Sequence, residues 1–277
     1  MTSEKIEHHY RQSGGLLQKI ESALALIGKT EEYLSVDDIS AIDEFHTGGR
    51  LATKNLVSSL DVKPNQHVLD VGCGIGGTAR YLVSEFKCRV TGIDLTAEFV
   101  ETGKRLCEKT CLSDNINLVV ANALETGLDS GSFDAACMLH VGMNIEDKQR
   151  LFEEISRLLK PAGKIALYDV MLCKNEPLRY PVPWATSAET SFPQTPAEYI
   201  AALERAGFVI EHELDRSGFA LEFMAKIKKR QETSQEPAAP GLQLLMGSDA
   251  ALKVKNMVMM MQEGLLAPVE IIAQKAE

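Results

Sequence analysis

Three things are scarce in these 277 residues, and each absence excludes something. Positive charge is outnumbered: 29 Lys and Arg stand against 39 Asp and Glu, a formal net charge of -10. Such a surface repels phosphate backbones, and no basic arm or arginine stripe offsets it, so nucleic acid is not an expected partner. Metal-ligand spacing is missing. Cys73, Cys88, Cys107, Cys111, Cys137 and Cys173 include no Cys-x-x-Cys pair and no histidine cluster lies beside them, so no metal site is expected. Long apolar runs are missing too. No stretch of about 18 apolar residues occurs, and Met1 to Arg11 carries no apolar signal segment. With thiols scattered as in a reducing compartment, a cytoplasmic protein that does not engage membranes is expected, as monomer or homodimer.

What is present is enough apolar material, 45% of residues, for one substantial α/β core. Residues 4–29 have helical periodicity through Leu16, Leu17, Ile20, Leu24 and Ile27. Residues 30–47 are acidic and read as loop; Gly48 and Gly49 then lead into a helix ending near Leu60. A regular alternation follows. Strands are expected at His67–Val71, Arg89–Ile93, Ile116–Ala121, Phe133–Leu139 and Lys164–Asp169. Helices are expected at Thr78–Phe86, Ala97–Cys111 and Ile145–Leu159. That order predicts a parallel sheet covered on both faces. The rhythm breaks at 170–195, where Pro177, Pro181, Pro183 and Pro193 surround Tyr180 and Trp184, a composition suited to a lid. A helix at Pro196–Ala206 precedes an expected hairpin of Phe208–Leu214 with Phe219–Ile227. Residues 231–241 read as linker and 248–264 as a Met-rich packing helix. The expected division is a helical cap at 1–60, a main domain at 61–230, and a linker with a helix packed on it at 231–277.

The chemistry concentrates at Asp70-Val71-Gly72-Cys73-Gly74-Ile75-Gly76-Gly77, between a strand and a helix. Glycines are needed where backbone turns sharply and approaches a ligand without a Cβ in the way. Asp94 ends the second strand, where a carboxylate can accept both hydroxyls of an adenosine ribose. Gly72, Gly74 and Gly77 also satisfy the dinucleotide fingerprint, so a nicotinamide oxidoreductase stays open on the glycines alone. Asp70 separates the two. A dinucleotide site keeps that position apolar and offers its helix N-terminus to a pyrophosphate. An acid there suits the ammonium of S-adenosylmethionine, although an Asp that caps local N–H groups would read the same.

These residues resemble the class I S-adenosylmethionine-dependent methyltransferases over roughly Leu51 to Ile227. Residues 70–77 resemble the family's first motif, and Gly92-Ile93-Asp94-Leu95 its ribose-binding acid. Ala121-Asn122-Ala123 matches its adenine contact, with Asn122 where Asp is common. Leu158-Leu159-Lys160-Pro161-Ala162-Gly163 matches its turn before the fifth strand, with Ala162 in place of a glycine. The resemblance implies a doubly wound sheet of seven strands, six parallel and the last antiparallel, with an N-terminal helical cap and a C-terminal helix. It implies S-adenosylmethionine as cofactor, held by Asp70, Gly72, Cys73, Gly74, Gly76, Asp94, Leu95, Asn122, Ala123 and Leu139. Glu44-Phe45-His46-Thr47-Gly48-Gly49-Arg50 would fold over the methionine end, with His46 and Gly49 against it. His140, after the fourth strand, is the candidate catalytic base; a histidine that only shapes the pocket is the other reading. Met143, Asn144, Tyr180, Trp184 and Tyr10 are candidates for the acceptor's side of the pocket, the rings forming an aromatic wall. The finer pattern is closest to methyltransferases of the sarcosine/dimethylglycine and ubiquinone-biosynthesis type. The expected activity is methyl transfer to a nitrogen, oxygen or carbon of a small acceptor by in-line displacement. A binding protein that has lost catalysis remains the third possibility.

Overall fold

A computed structural model describes residues 15–30, 32–233 and 246–277. Tyr10 and most of the 231–241 linker lie outside them. Among the described residues seven strands form one sheet: β1 His67–Val71, β2 Arg89–Asp94, β3 Ile116–Val120, β4 Phe133–Leu139, β5 Leu159–Leu172, β6 Phe208–Asp215 and β7 Leu266–Lys275. Their order is β3-β2-β1-β4-β5-β7-β6. Six strands share one direction, and β7 runs antiparallel to both β5 and β6.

The helices are α1 Leu16–Leu26, α2 Val36–Asp43, α3 Gly49–Ser58, α4 Gly77–Phe86, α5 Ala97–Lys109, α6 Lys148–Leu158, α7 Pro196–Arg205, α8 Ser217–Thr233 and α9 Ala250–Gln262. The central strands are apolar on both sides because helices cover both sides. Val68, Val90, Ala135 and Cys137 pack with Leu56, Val57, Leu82 and Val83 of α3 and α4. Leu69, Val71, Ala136 and Met138 pack the other way, with Leu151 and Phe152 of α6 and Leu203 of α7. Each such Val, Leu, Phe or Met side chain contributes on the order of 1.5–3 kcal/mol by leaving water. Asp70 interrupts the first of these faces, which makes its placement unusual from the start.

Four expectations change. Residues 30–47 are not all loop. Ser35 and Asp38 form a reciprocal capping box that starts α2, so Asp37 and Asp38 sit in the helix's first turn, while Asp43 ends the helix and Glu44 follows it. The hairpin at 208–227 is a strand followed by a helix. Only Phe208–Asp215 joins the sheet, and Phe219–Ile227 lies within α8. The antiparallel strand is supplied instead by Leu266–Lys275, so the region beyond 231 is not merely a linker and a packed helix. A boundary at 230 would cut one sheet in two. Finally, the segment 170–195 is tied down: Val182, Trp184 and Ala185 are buried with Met143 and with Met257, Met260 and Met261 of α9. These methionines are therefore packing, and what they pack is the segment 170–195.

Candidate active site

The carboxyl ends of β1, β2 and β4 open into a cavity of about 460 Å³. Three backbone features shape it. Gly72 turns the chain after β1 with φ +71°, and a Cβ there would lie 2.2 Å from Val141 Cγ2. That close approach sets the first glycine turn against the loop that carries His140. The start of α4 is pressed by α2, since a Cβ on Gly77 would meet the Asp43 carbonyl oxygen at 2.3 Å. The end of β4 enters the left-handed region at His140, φ +54°, whose N–H donates to the Tyr168 carbonyl at 2.7 Å. For a non-glycine residue that conformation is strained and held by its surroundings.

The acids divide the cavity. Asp94 receives the Gly74 N–H at 2.9 Å on one oxygen and the Thr96 N–H at 2.8 Å on the other. Each carboxylate oxygen keeps a further lone pair for a vicinal diol. Burial nonetheless raises its pKa against those bonds. Asp70 is 2% exposed. The Cys137 thiol reaches its Oδ1 at 3.6 Å, while Oδ2 has no partner. Burial raises its pKa to about 7, and the nearby Glu44 and Asp94 add to the rise. A buried carboxylate with one bare oxygen suits a cationic partner, and the methionine ammonium is such a group. S-adenosylmethionine therefore fits: Asp70 for its ammonium, Asp94 for its ribose, Ala121, Asn122 and Ala123 at the end of β3 for its base. The Asn122 side-chain oxygen already accepts the Leu124 N–H at 3.0 Å, which leaves it one lone pair and its amide hydrogens for an adenine.

A second set of groups lies where α2 and α3 meet the sheet. Glu44 is buried and accepts from His46 Nε2 at 2.9 Å, from Thr53 Oγ1 at 2.5 Å and from Arg50 Nε. Burial alone would raise its pKa; the bonds from His46, Arg50 and Thr53 outweigh that and hold it below the usual carboxylate range. Asp43 is paired with the fully buried Arg80 at 2.8 Å. Desolvation pushes the Asp43 carboxyl up despite that partner. His46, His140 and Tyr168 form an aromatic group, with ring centroids 6.0 Å apart for the two histidines and 5.0 Å for His140 with Tyr168. His46 Nδ1, His140 Nε2 and the Tyr168 hydroxyl are buried without hydrogen-bond partners. Burial, then the neighbouring His46, holds the His140 pKa well below the ordinary imidazole value.

The cavity brings together Asp70, Gly72, Cys73, Gly74, Asp94, Leu95, Asn122, Ala123, Leu139, His46, His140 and Asn144. It does not bring in Gly76, Gly49, Met143, Tyr180 or Trp184. Gly76 caps α4 and Gly49 opens α3. Trp184 is 1% exposed, and its indole N–H donates to Ser191 Oγ at 2.9 Å, so the expected aromatic wall is turned into the core that segment 170–195 forms with α9. Asn144 Nδ2 donates to the Trp184 carbonyl at 2.8 Å, which ties the segment 170–195 to the cavity's edge. Sequence reasoning missed Phe45, Thr78, Phe99, Ile145, Glu146 and Asp147, which also line it. Phe45 stood beside a residue already singled out. Phe99 comes from the inner face of α5 and carries no local signal.

Comparison with known proteins points the same way. A methyltransferase-domain profile matches residues 69–167. Phosphoethanolamine N-methyltransferase 1 of Arabidopsis thaliana is 37% identical over 123 residues, 44% of this chain and 25% of that enzyme. The chain thus spans about a quarter of that relative's length. Phosphoethanolamine N-methyltransferase 2 of Haemonchus contortus, solved with phosphomonomethylethanolamine and S-adenosylhomocysteine, superposes with a TM-score of 0.73 at 20% identity, over 93% of this chain and 60% of that one. Geranyl diphosphate C-methyltransferase of Streptomyces coelicolor A3(2) superposes with a TM-score of 0.72 at 20% identity, over 99% and 98%. At that identity both speak to the fold alone. Residues 69–167 thus match a methyltransferase domain, set in a sheet whose fold is shared with solved methyltransferases.

Proposed function

We propose that this protein transfers a methyl group from S-adenosylmethionine to a small acceptor that carries no phosphate, an amine or a hydroxyl compound. The observation that carries the acceptor class is the charge of the cavity. Its walls hold Asp43, Asp70, Asp94, Glu146, Asp147 and two histidines, and among the described lining residues there is neither lysine nor arginine. A phosphate or diphosphate group would enter without a counter-ion, which is costly in a confined site. A protonated amine would find partners there.

When bound, S-adenosylmethionine supplies the electrophilic methyl carbon. The chain's own residues do the rest. Asp70 and Asp94 fix the two ends of the donor, and the rigid turn at Gly72 fixes its depth. The Asn144–Trp184 contact and the packed lid exclude water from one side. Positioning and dehydration of this kind are what an in-line displacement needs most. His140, neutral at physiological pH because burial opposes its charge, leaves the path beside the methyl uncharged. A pyrophosphate would sit next to two carboxylates, which counts against a nicotinamide cofactor.

The test is a transfer assay with methyl-labelled S-adenosylmethionine over sarcosine, dimethylglycine, ethanolamine, phosphoethanolamine, phenols and quinols. Label should appear in an unphosphorylated acceptor. Turnover confined to phosphoethanolamine would overturn the charge argument. Calorimetric binding of NAD without binding of S-adenosylmethionine would overturn the activity itself.

A further inference from the structure

Two imidazoles line the same part of the cavity, and their support differs. Among the described residues no carboxylate pairs with the His140 ring, and its Nε2 is buried and bare. His46 is backed on one side. Its Nε2 lies 2.9 Å from Glu44 Oε2 and 3.0 Å from Thr53 Oγ1, and Thr53 in turn donates to Glu44. Arg50 holds the other Glu44 oxygen. An ionised carboxylate at Nε2 keeps the proton on that nitrogen. The lone pair is then on Nδ1, the atom with no partner, in a ring that lines the cavity.

We propose that His46, backed by Glu44, takes the proton of the methyl acceptor, with Glu44 as its positioning residue and His140 as a neutral wall. The proposal rests on the methyl-transfer reading above. In the step, the acceptor's nucleophilic atom forms its bond to the methyl carbon as the carbon–sulfur bond breaks, the electron pair of that bond staying on sulfur. The proton lost by the nucleophile ends on His46 Nδ1. The resulting imidazolium is balanced by the Glu44 carboxylate until the proton leaves with solvent. No other reactant is needed. The charged and titratable groups around His46 are Glu44, Arg50 and Asp43 from its own segment, Asp70 of β1, His140 after β4 and Tyr168 of β5. Glu44 alone of these carboxylates bonds the ring, so the charge formed on uptake is stabilised there.

The first experiment needs no turnover. In full-length protein with labelled histidine nitrogens, saturated with S-adenosylhomocysteine, long-range nitrogen–proton spectra report each ring's tautomer. His46 should carry its proton on Nε2, with Nδ1 bare; a proton on Nδ1 overturns the proposal. The second uses the acceptor that the labelling panel returns. Glu44→Gln and His46→Asn should each lower kcat on the order of 10²-fold while S-adenosylhomocysteine affinity holds. In Glu44→Gln the acid limb of kcat against pH should move to lower pH, because the imidazolium has lost its counter-charge. In His140→Asn that limb should stay in place. Wild-type turnover in His46→Asn, or a limb that vanishes with His140, overturns the assignment and leaves methyl transfer standing. Wild-type protein that binds S-adenosylmethionine and methylates nothing in the panel overturns both.

Discussion

At the scale of single residues, the two acids that frame the glycine turn carry different predictions. Burial raises the Asp70 pKa to about 7, so its charge responds to pH in the neutral range. A cationic ammonium binds the ionised form, so affinity for S-adenosylmethionine should tighten as pH rises from 6 to about 7.5. Calorimetry across that range should show the slope in wild type and a flat line in Asp70→Asn. Asp94 is a matter of hydrogen bonds rather than titration. Asp94→Ala should weaken S-adenosylmethionine binding by about 1–3 kcal/mol, the usual penalty for stranding buried polar partners, and equal dissociation constants would remove its ribose role. These two were legible in the sequence because each is an acid where a strand should be apolar. Glu44 was legible only as a member of a polar run. Its ties to His46, Thr53 and Arg50 span two to nine positions across a turn and a new helix, and no spacing rule connects them.

At the scale of elements, the alternation from β1 to β5 was readable because helices cover both sheet faces and leave strands as short apolar runs. The misreadings came where period and composition disagree. Phe219–Ile227 is apolar enough for a strand, but Ala220, Leu221, Glu222, Met224 and Ala225 all favour helix, and α8 results. β7 contains Pro268 and Glu270, both of which argue against a central strand. The proline is tolerated opposite Val170 near the strand's end, where its carbonyl still accepts the Arg216 N–H at 2.8 Å. Ile271, fully buried on β7, tests the assignment: Ile271→Ala should cost about 2–5 kcal/mol in urea unfolding, as a core truncation does. A loss within a few tenths would mean that the strand is not in the sheet. The capping box offers a milder test. Ser35→Ala should cost about 0.5–2 kcal/mol, read as a drop in the urea midpoint.

At the scale of the molecule, the buried acids set opposing pH responses. Glu154, bonded to Arg157 and Thr126, has its pKa lowered to about 2, so its contribution is present above the ordinary carboxylate range and is lost as pH falls towards 2. Asp70 and Asp169 have pKa values raised to about 7 and about 6, chiefly by burial. Their contribution is full at low pH and fades as pH rises through those values. The ligand-free protein should therefore melt highest at about pH 4, where the unfolded carboxyls titrate, and Asp169→Asn should flatten the decline on the alkaline side. S-adenosylmethionine at about a hundred times its dissociation constant should add on the order of 2.7 kcal/mol, a rise of several degrees in melting temperature that NAD does not reproduce.

The strand β7 also says something about time. Its pairing joins Lys164 to Gln274 and Leu172 to Leu266, partners about a hundred positions apart in the chain. Contacts that distant form late, because loop closure must precede any reward from pairing. The donor cradle at β1, β2 and β4, by contrast, is assembled from segments between residues 67 and 139. On refolding from denaturant, protection of amides in β1 and β2 should appear before protection in β7. Until β7 arrives, β5 and β6 each show an open edge to other chains, so the yield of refolding should fall with protein concentration more steeply than its rate does.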